Sequence, residues 1–197
     1  GIRVFRATRD AGPIEIRTPI SRHTYWTRRG VAEWLAAELH KGPPTVVGID
    51  HAFSFPVAYF EKYRLERTWR RFLEDFCASW RTGDANVCPS IRFDELREDG
   101  PGLRCGDPSW LRLTERVSPG APKSVFRWHV KGTVANSTHA GLPWLLYMDQ
   151  SLGKRVHFWP FDGWRPAAGK SVIAEVYPSL WKDLTAPATY SGDQRDA

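Results

Sequence analysis

The first forty residues change from strand-like alternation to helical spacing. Residues 2–8 and 14–18 alternate apolar and polar side chains around a turn-forming segment at residues 10–13, which predicts an antiparallel hairpin. Thr27 then precedes apolar residues at helical spacing, and Gly42 follows the last of them. We therefore expect a helix that Thr27 caps and that ends at Gly42.

The middle of the chain predicts one strand followed by several helices. Residues 45–50 form an unbroken apolar run that ends in an aspartate, which is typical of a strand covered on both faces. Helical patterns follow at residues 56–63 and 68–81. Residues 133–152 are also helical in pattern, but Pro143 predicts a break or kink that divides them into two helices.

The remaining segments complete a mixed α/β order. Residues 156–161 and 171–177 predict two further strands, and a short helix is expected around residues 180–184. Residues 82–122 are rich in Gly, Pro and charge, which predicts an irregular insertion. We expect a single domain over residues 1–197, built on a sheet that is part antiparallel and part parallel.

Composition limits the classes of protein that fit. The 197 residues carry a formal charge of +6, which favours polyanionic partners such as nucleic acid. Several arginines between residues 64 and 81 contribute to this charge, although a helix face that pairs them with neighbouring carboxylates is the simpler explanation. Three cysteines without a C-x-x-C pair predict neither a disulfide framework nor a zinc site, and they favour a cytoplasmic location. No apolar run is long enough to predict a membrane span.

Two carboxylates carry the strongest chemical signal. Asp50 ends an apolar strand, and the carboxyl ends of strands in α/β folds border ligand crevices. Glu175 lies inside another apolar strand, where an unpaired buried carboxylate is costly unless a cation or proton neutralises it. The alternatives are that Asp50 caps the following turn or helix, and that Glu175 faces water on an edge strand.

Carboxylates that converge from several elements are the ligands of two-metal phosphodiester hydrolysis. Asp50 and Glu175 supply two such groups, and Asp193 or Asp196 supplies a third if residues 192–197 begin a helix. We therefore expect a site for divalent metal ions formed by Asp50, Glu175 and either Asp193 or Asp196. Acidic residues at a helix start also occur for electrostatic reasons alone.

Polar residues near the predicted site are candidates for substrate binding. His51 follows Asp50 directly, and His139 is a second candidate for acid–base chemistry. Lys123, Ser124 and Thr133 bring cations and hydroxyls ahead of a predicted helix, where they suit an anion, although ordinary capping by Thr133 is the simpler explanation.

Five short motifs, taken in order, resemble a known family. They are VVGIDHAFSFP at 46–56, PKSVF at 122–126, GTVANSTHAGLP at 132–143, IAEVYP at 173–178 and DQRDA at 193–197. Together they resemble the uncharacterised DUF429-type family of predicted ribonuclease-H-like nucleases, from about residue 45 onward.

The resemblance implies a ribonuclease-H-like fold and a metal-dependent nuclease activity, with Asp50, Glu175 and Asp196 at acidic positions of the family pattern. Two features depart from that pattern. Family members usually begin with a strand that carries an early aspartate, and they continue through a full helix after the Asp-Ala pair. We therefore expect the chain to lack the first strand and the last helix of the fold.

Three functions remain open at this point. The first is a nuclease that depends on Mg²⁺ or Mn²⁺ and acts on DNA or RNA. The second is phosphoryl transfer with a Mg-nucleotide, although the usual glycine-rich phosphate loops are absent from the sequence. The third is a non-catalytic module that binds nucleic acid through basic and aromatic side chains.

Overall fold

The computed structural model describes residues 2–18, 25–83, 93–94, 104–118, 122–130 and 133–180. The chain forms two compact units. The first consists of Gly1–Asp50 together with Lys154–Ala197, and the second of His51–Gly153. The expectation of a single domain stays a prediction.

The helices and strands are numbered here in chain order. They are β1 (Phe5–Thr8), β2 (Ala11–Glu15), α1 (Arg28–Lys41), β3 (Val46–Ile49), α2 (Val57–Lys62), α3 (Trp69–Trp80), α4 (Leu113–Val117), α5 (Ala135–Leu152), β4 (Val156–Trp159) and β5 (Ser171–Glu175). Single 3-10 turns cover Gly153–Arg155 and Pro178–Leu180. None of the helices in these ranges is long and apolar enough to cross a membrane.

The first unit begins as the alternation predicts. Strands β1 and β2 pair antiparallel, and a salt bridge of 2.8 Å joins Arg3 to Glu15 beside them. Helix α1 starts where expected, because Thr27 Oγ1 accepts a hydrogen bond of 3.1 Å from the backbone N–H of Gly30. It ends at Gly42, which confirms the predicted helix. The antiparallel pairing is also confirmed, but the expected turn at residues 10–13 is wrong in extent, because β2 already begins at Ala11 and the turn lies at residues 9–10.

A three-stranded parallel sheet forms the rest of this unit. Its strand order is β3-β5-β4, so β5 lies between the other two. The register pairs Ile49 with Glu175 and Trp159 with Ala174. All three strands therefore end at the same edge of the sheet, which we call the carboxyl edge.

The expected burial of β3 is wrong. Among the described residues β3 pairs only with β5, and its exposure alternates so that Val46 is 78% exposed. An apolar run cannot distinguish a central strand from an outer one, and here β5 takes the central position. The antiparallel and parallel strands also form two separate sheets within the described ranges, where we expected one mixed sheet.

The second unit is helical, and its core is aromatic. Helices α2 and α3 match their predicted positions, and the apolar stripe of α3 is buried along its length. Phe55 lies at the centre of this core, with ring centroids at 4.7 Å from Phe126 and 4.8 Å from Tyr59. Many of the aromatic side chains of this unit therefore fill its core.

The predicted break at Pro143 is also wrong, because α5 runs unbroken from Ala135 to Leu152. A proline lacks the N–H that would bind the carbonyl of the residue four positions earlier, which is His139. The hydroxyl of Thr82 donates to that carbonyl at 2.5 Å. A side chain from outside the helix thus replaces the missing hydrogen bond, and the helix continues.

Two predictions fall partly or wholly outside the described residues. Within the expected insertion at residues 82–122, the described ranges include α4 and irregular segments around it. The 3-10 turn Pro178–Leu180 stands at the start of the expected final helix, and residues 181–184 lie outside the described part of the chain.

Candidate functional site at the carboxyl edge of the parallel sheet

Asp50 and Glu175 lie at the ends of neighbouring strands. Glu175 is the last residue of β5, and Asp50 follows Ile49, which is the register partner of Glu175. Adjacent strands run about 4.8 Å apart, so the backbones of the two acidic residues are close neighbours. The structure thus places the two acidic residues that the sequence singled out at one edge of one unit.

The two carboxylates have different surroundings. Glu175 is half-buried and stands two residues after the fully buried Ile173, so it shares the core-facing side of the sheet. Asp50 is exposed and lies in a bend one residue beyond β3, where strand alternation no longer sets the direction of its side chain. One acidic residue is therefore half-buried and the other is exposed, at the same edge of the sheet.

The structure excludes a helix cap at Asp50 and an edge strand at Glu175, while capping of the following turn by Asp50 stays an open alternative. Helix α2 begins at Val57 with Pro56 as its N-cap, so Asp50 does not cap that helix. Strand β5 has a partner on each side, so Glu175 does not face water from an edge strand.

The third predicted ligand, Asp196, lies outside the described residues, as does the alternative Asp193. Within the described ranges no group of three or more His, Cys, Asp or Glu side chains stands ready to hold a metal ion. The described part of the candidate site is therefore a pair of carboxylates.

An exposed tryptophan near the same edge was not predicted. Trp164 follows β4 and is 75% exposed, with its ring edge-on to Trp159, the last residue of β4, at a centroid distance of 5.3 Å. The carbonyl of the neighbouring Gly163 accepts a hydrogen bond of 2.8 Å from His157 Nε2, which holds this loop against the strand. The sequence signal was the high tryptophan content, but composition cannot tell which indole is exposed.

His51 belongs to the second unit, and the long helix determines its position. Its Nδ1–H donates to the carbonyl of Ala52 at 2.9 Å. Its ring lies directly over Gly141 of α5, where a Cβ atom would come within 2.3 Å of Nε2. Gly141 therefore makes room for this imidazole, and the assignment of His51 to substrate binding stays a prediction.

The other predicted binding residues also belong to the second unit. Lys123 is exposed, whereas Ser124 is fully buried and accepts a hydrogen bond of 3.2 Å from the N–H of Phe126. Thr133 Oγ1 lies 2.9 Å from the carbonyl oxygen of Arg127, and it does not cap α5, whose N-cap is Val134. The hydroxyls of Ser124 and Thr133 thus bind the backbone locally.

His139 has a structural environment that excludes an exposed acid–base role. It is fully buried, its ring centroid lies 4.3 Å from that of Trp128, and its Nδ1–H donates to the carbonyl of Ala135 at 2.9 Å. Burial lowers the pKa of His139 to about 3, so the imidazole is neutral at ordinary pH.

The arginines near α3 are largely paired, as the simpler explanation expected. Salt bridges of 2.8 to 2.9 Å join Arg67 to Glu61, Arg70 to Asp149 and Arg71 to Glu74. These exposed or half-exposed pairs leave little uncompensated charge on this helix face.

Comparisons with protein-family models, with curated proteins and with solved structures found no match to this chain.

Proposed function

We propose that this protein is a divalent-metal-dependent nuclease with a ribonuclease-H-like arrangement of its sheet, and that it hydrolyses phosphodiester bonds of DNA or RNA. The observation that carries the proposal is the position of Asp50 and Glu175 at the ends of adjacent parallel strands. The ordered motifs that resemble the DUF429-type family support it from the sequence.

The donor set suits Mg²⁺ or Mn²⁺. Mg²⁺ is commonly held by one or two carboxylates, with waters and substrate phosphates as its other ligands. Asp50 and Glu175 are such a pair, and Asp196 is proposed as a further ligand. A bound ion supplies Lewis-acid activation of water and stabilises charge on the leaving oxygen. The chain's own part is to supply two negative groups from the ends of adjacent strands, one half-buried and one exposed.

Trp164 supports nucleic acid as the substrate class. An exposed indole near the carboxyl edge offers a flat surface on which a base stacks, and such stacking is worth about 1–3 kcal/mol per base. The formal charge of +6 favours approach of a polyanion over long distances.

The test is cleavage of fluorescently labelled single- and double-stranded DNA and RNA in Mg²⁺, in Mn²⁺ and in EDTA. We expect metal-dependent cleavage that Asp50→Asn and Glu175→Gln each reduce by about a hundredfold or more, since each removes a charged ligand. Glu33→Gln is the matched control, because Glu33 is an exposed carboxylate on α1 in the same unit. Melting temperatures of all variants establish that the fold is retained.

Two outcomes would end the proposal. One is an unmodified chain that cleaves none of these substrates with either metal. The other is cleavage that Asp50→Asn leaves at the level of the Glu33→Gln control.

A non-catalytic nucleic-acid-binding module is the second candidate, and the exposure of Trp164 favours it. In that case oligonucleotide binding weakens in Trp164→Ala but persists in Asp50→Asn, and no substrate is turned over. Fluorescence anisotropy on the same labelled strands separates this candidate from the nuclease.

A further inference from the structure

A second charged region of the first unit lies at the opposite, amino edge of the parallel sheet. A cavity of about 310 Å³ opens there, and four of its lining residues have basic side chains: His40, Lys154, Arg155 and Lys170. We call these four residues and the cavity between them the basic cleft. Its volume is at the lower end of the range of about 300–1,000 Å³ that is typical of small-molecule sites.

The cations come from three different elements. His40 lies in the last turn of α1, Lys154 and Arg155 lie in the 3-10 turn before β4, and Lys170 directly precedes β5. A basic residue in the last turn of a helix is explained by the helix dipole alone. It also covers Lys154 and Arg155, which follow the end of α5, but it does not apply to Lys170, and the convergence of the four residues on one cavity is a product of the fold.

These cations have no counter-charge in the described part of the chain. No carboxylate lines the cavity, and none of the salt bridges found there involves Lys154, Arg155 or Lys170. The nearby Glu38 of α1 is already paired with Arg6 at 2.5 Å. This contrasts with the arginines near α3, which the fold does neutralise.

A tight turn and a hydroxyl complete the cleft. The N–H of Lys170 donates to the carbonyl of Ala167 at 3.2 Å, and Gly169 between them has a φ of +79°, a conformation that favours glycine. Ser171 is buried and accepts a hydrogen bond of 3.1 Å from the N–H of Thr45, while its own proton has no acceptor among the described residues. A half-buried lysine and a spare hydroxyl donor thus line the same wall.

We propose that the basic cleft binds a phosphate group. Three permanent cations, an imidazole and a hydroxyl donor match an anion with several acceptor oxygens. The phosphate belongs either to a free phosphorylated compound or to a nucleic-acid backbone, since both present the same chemistry to these side chains. The cleft is separate from the carboxylates at the other edge, so this site does not depend on the proposed nuclease activity.

The test is isothermal titration of the 197-residue chain with pyrophosphate and, separately, with a twelve-residue oligothymidylate without terminal phosphates. Both titrations are made in EDTA at low salt, so that the metal-dependent reaction proposed above has no influence on them. The variant is Lys154→Gln with Lys170→Gln. The charge-matched control is Arg9→Gln with Arg116→Gln, two exposed arginines outside the cleft that have no ion pair within the described ranges. Melting temperatures verify that both double variants fold.

We expect saturable binding that the cleft variant weakens at least about tenfold and the control variant by less than about twofold, because charge-assisted hydrogen bonds are lost only in the former. Binding of pyrophosphate identifies a free phosphorylated ligand. Binding of the oligonucleotide alone identifies a backbone phosphate, and its salt slope then falls by about 1.4 in the cleft variant, at roughly 0.7 per lost contact. Absence of binding to either probe, or equal weakening by both double variants, overturns the proposal.

Discussion

The carbonyl oxygen of His139 offers a direct test of how α5 continues through a proline. Pro143 has no N–H to donate to this oxygen, and the hydroxyl of Thr82 donates instead at 2.5 Å. Both groups are buried. Replacing Thr82 with Val keeps the shape of the side chain but removes the donor, and it leaves a buried carbonyl without a partner.

The expected cost follows from that isolated carbonyl. A buried acceptor that loses a hydrogen-bond donor destabilises a protein by about 1–3 kcal/mol, so Thr82→Val should lower the free energy of unfolding by that amount. In a Pro143→Ala background the backbone N–H of residue 143 is restored and donates to His139. Thr82→Val should then cost less than about 1 kcal/mol, which gives a coupling energy of about 1–2 kcal/mol between the two positions.

The assay is urea unfolding of the four members of this double-mutant cycle, followed by circular dichroism and by tryptophan fluorescence. Thr114→Val is the matched control, because Thr114 is exposed on α4. Its effect should stay within about 0.5 kcal/mol. A cost of Thr82→Val that is the same with Pro143 and with Ala at that position would refute the assigned role of the hydroxyl.

Three further predictions concern single features of the structure. Burial lowers the pKa of His139 from 6.5 to about 3, so the unfolded state binds a proton at this imidazole first as the pH falls. The contribution of neutral His139 to stability is therefore complete above about pH 6.5 and decreases below it, by about 2 kcal/mol at pH 5. Urea unfolding at pH 7 and at pH 5 should show a smaller loss of stability for His139→Phe than for the unmodified protein. Gly106→Ala would put a Cβ atom 2.1 Å from the buried ring of Phe126, so the free energy of unfolding should fall by about 1–3 kcal/mol, as measured by thermal unfolding. An unchanged melting temperature would contradict this packing. Thr27→Ala removes the acceptor for the N–H of Gly30 and should cost about 1 kcal/mol in urea, with Thr27→Ser retaining most of the stability.

Local patterns were sufficient to predict most of the helices and strands. Thr27 at the start of α1 and the apolar stripe of α3 are signals carried by a few neighbouring residues, and both elements begin within a residue of the predicted position. The pairing of β1 with β2 is equally local, because a short turn at residues 9–10 joins the two strands.

The candidate site could be predicted only in part. Asp50 and Glu175 stood out because each carboxylate adjoins an apolar run, and the structure brings both to one edge. The exposure of Trp164 and the convergence of Lys154 and Lys170 could not be foreseen, because each depends on how segments distant in sequence come together.

Periodicity, caps and turn residues act over a few positions, so the amino-acid sequence alone specified which segments become helix or strand. Which strand became central was a matter of tertiary pairing, since β3 and β5 are similarly apolar and, among the described strands of this sheet, only β5 has a partner on both sides. The unbroken course of α5 through Pro143 likewise required Thr82, which lies 57 residues before His139. Long-range hydrogen bonds and strand pairing outweigh local preference wherever the two conflict, because a buried backbone group without a partner costs more than most local propensities supply.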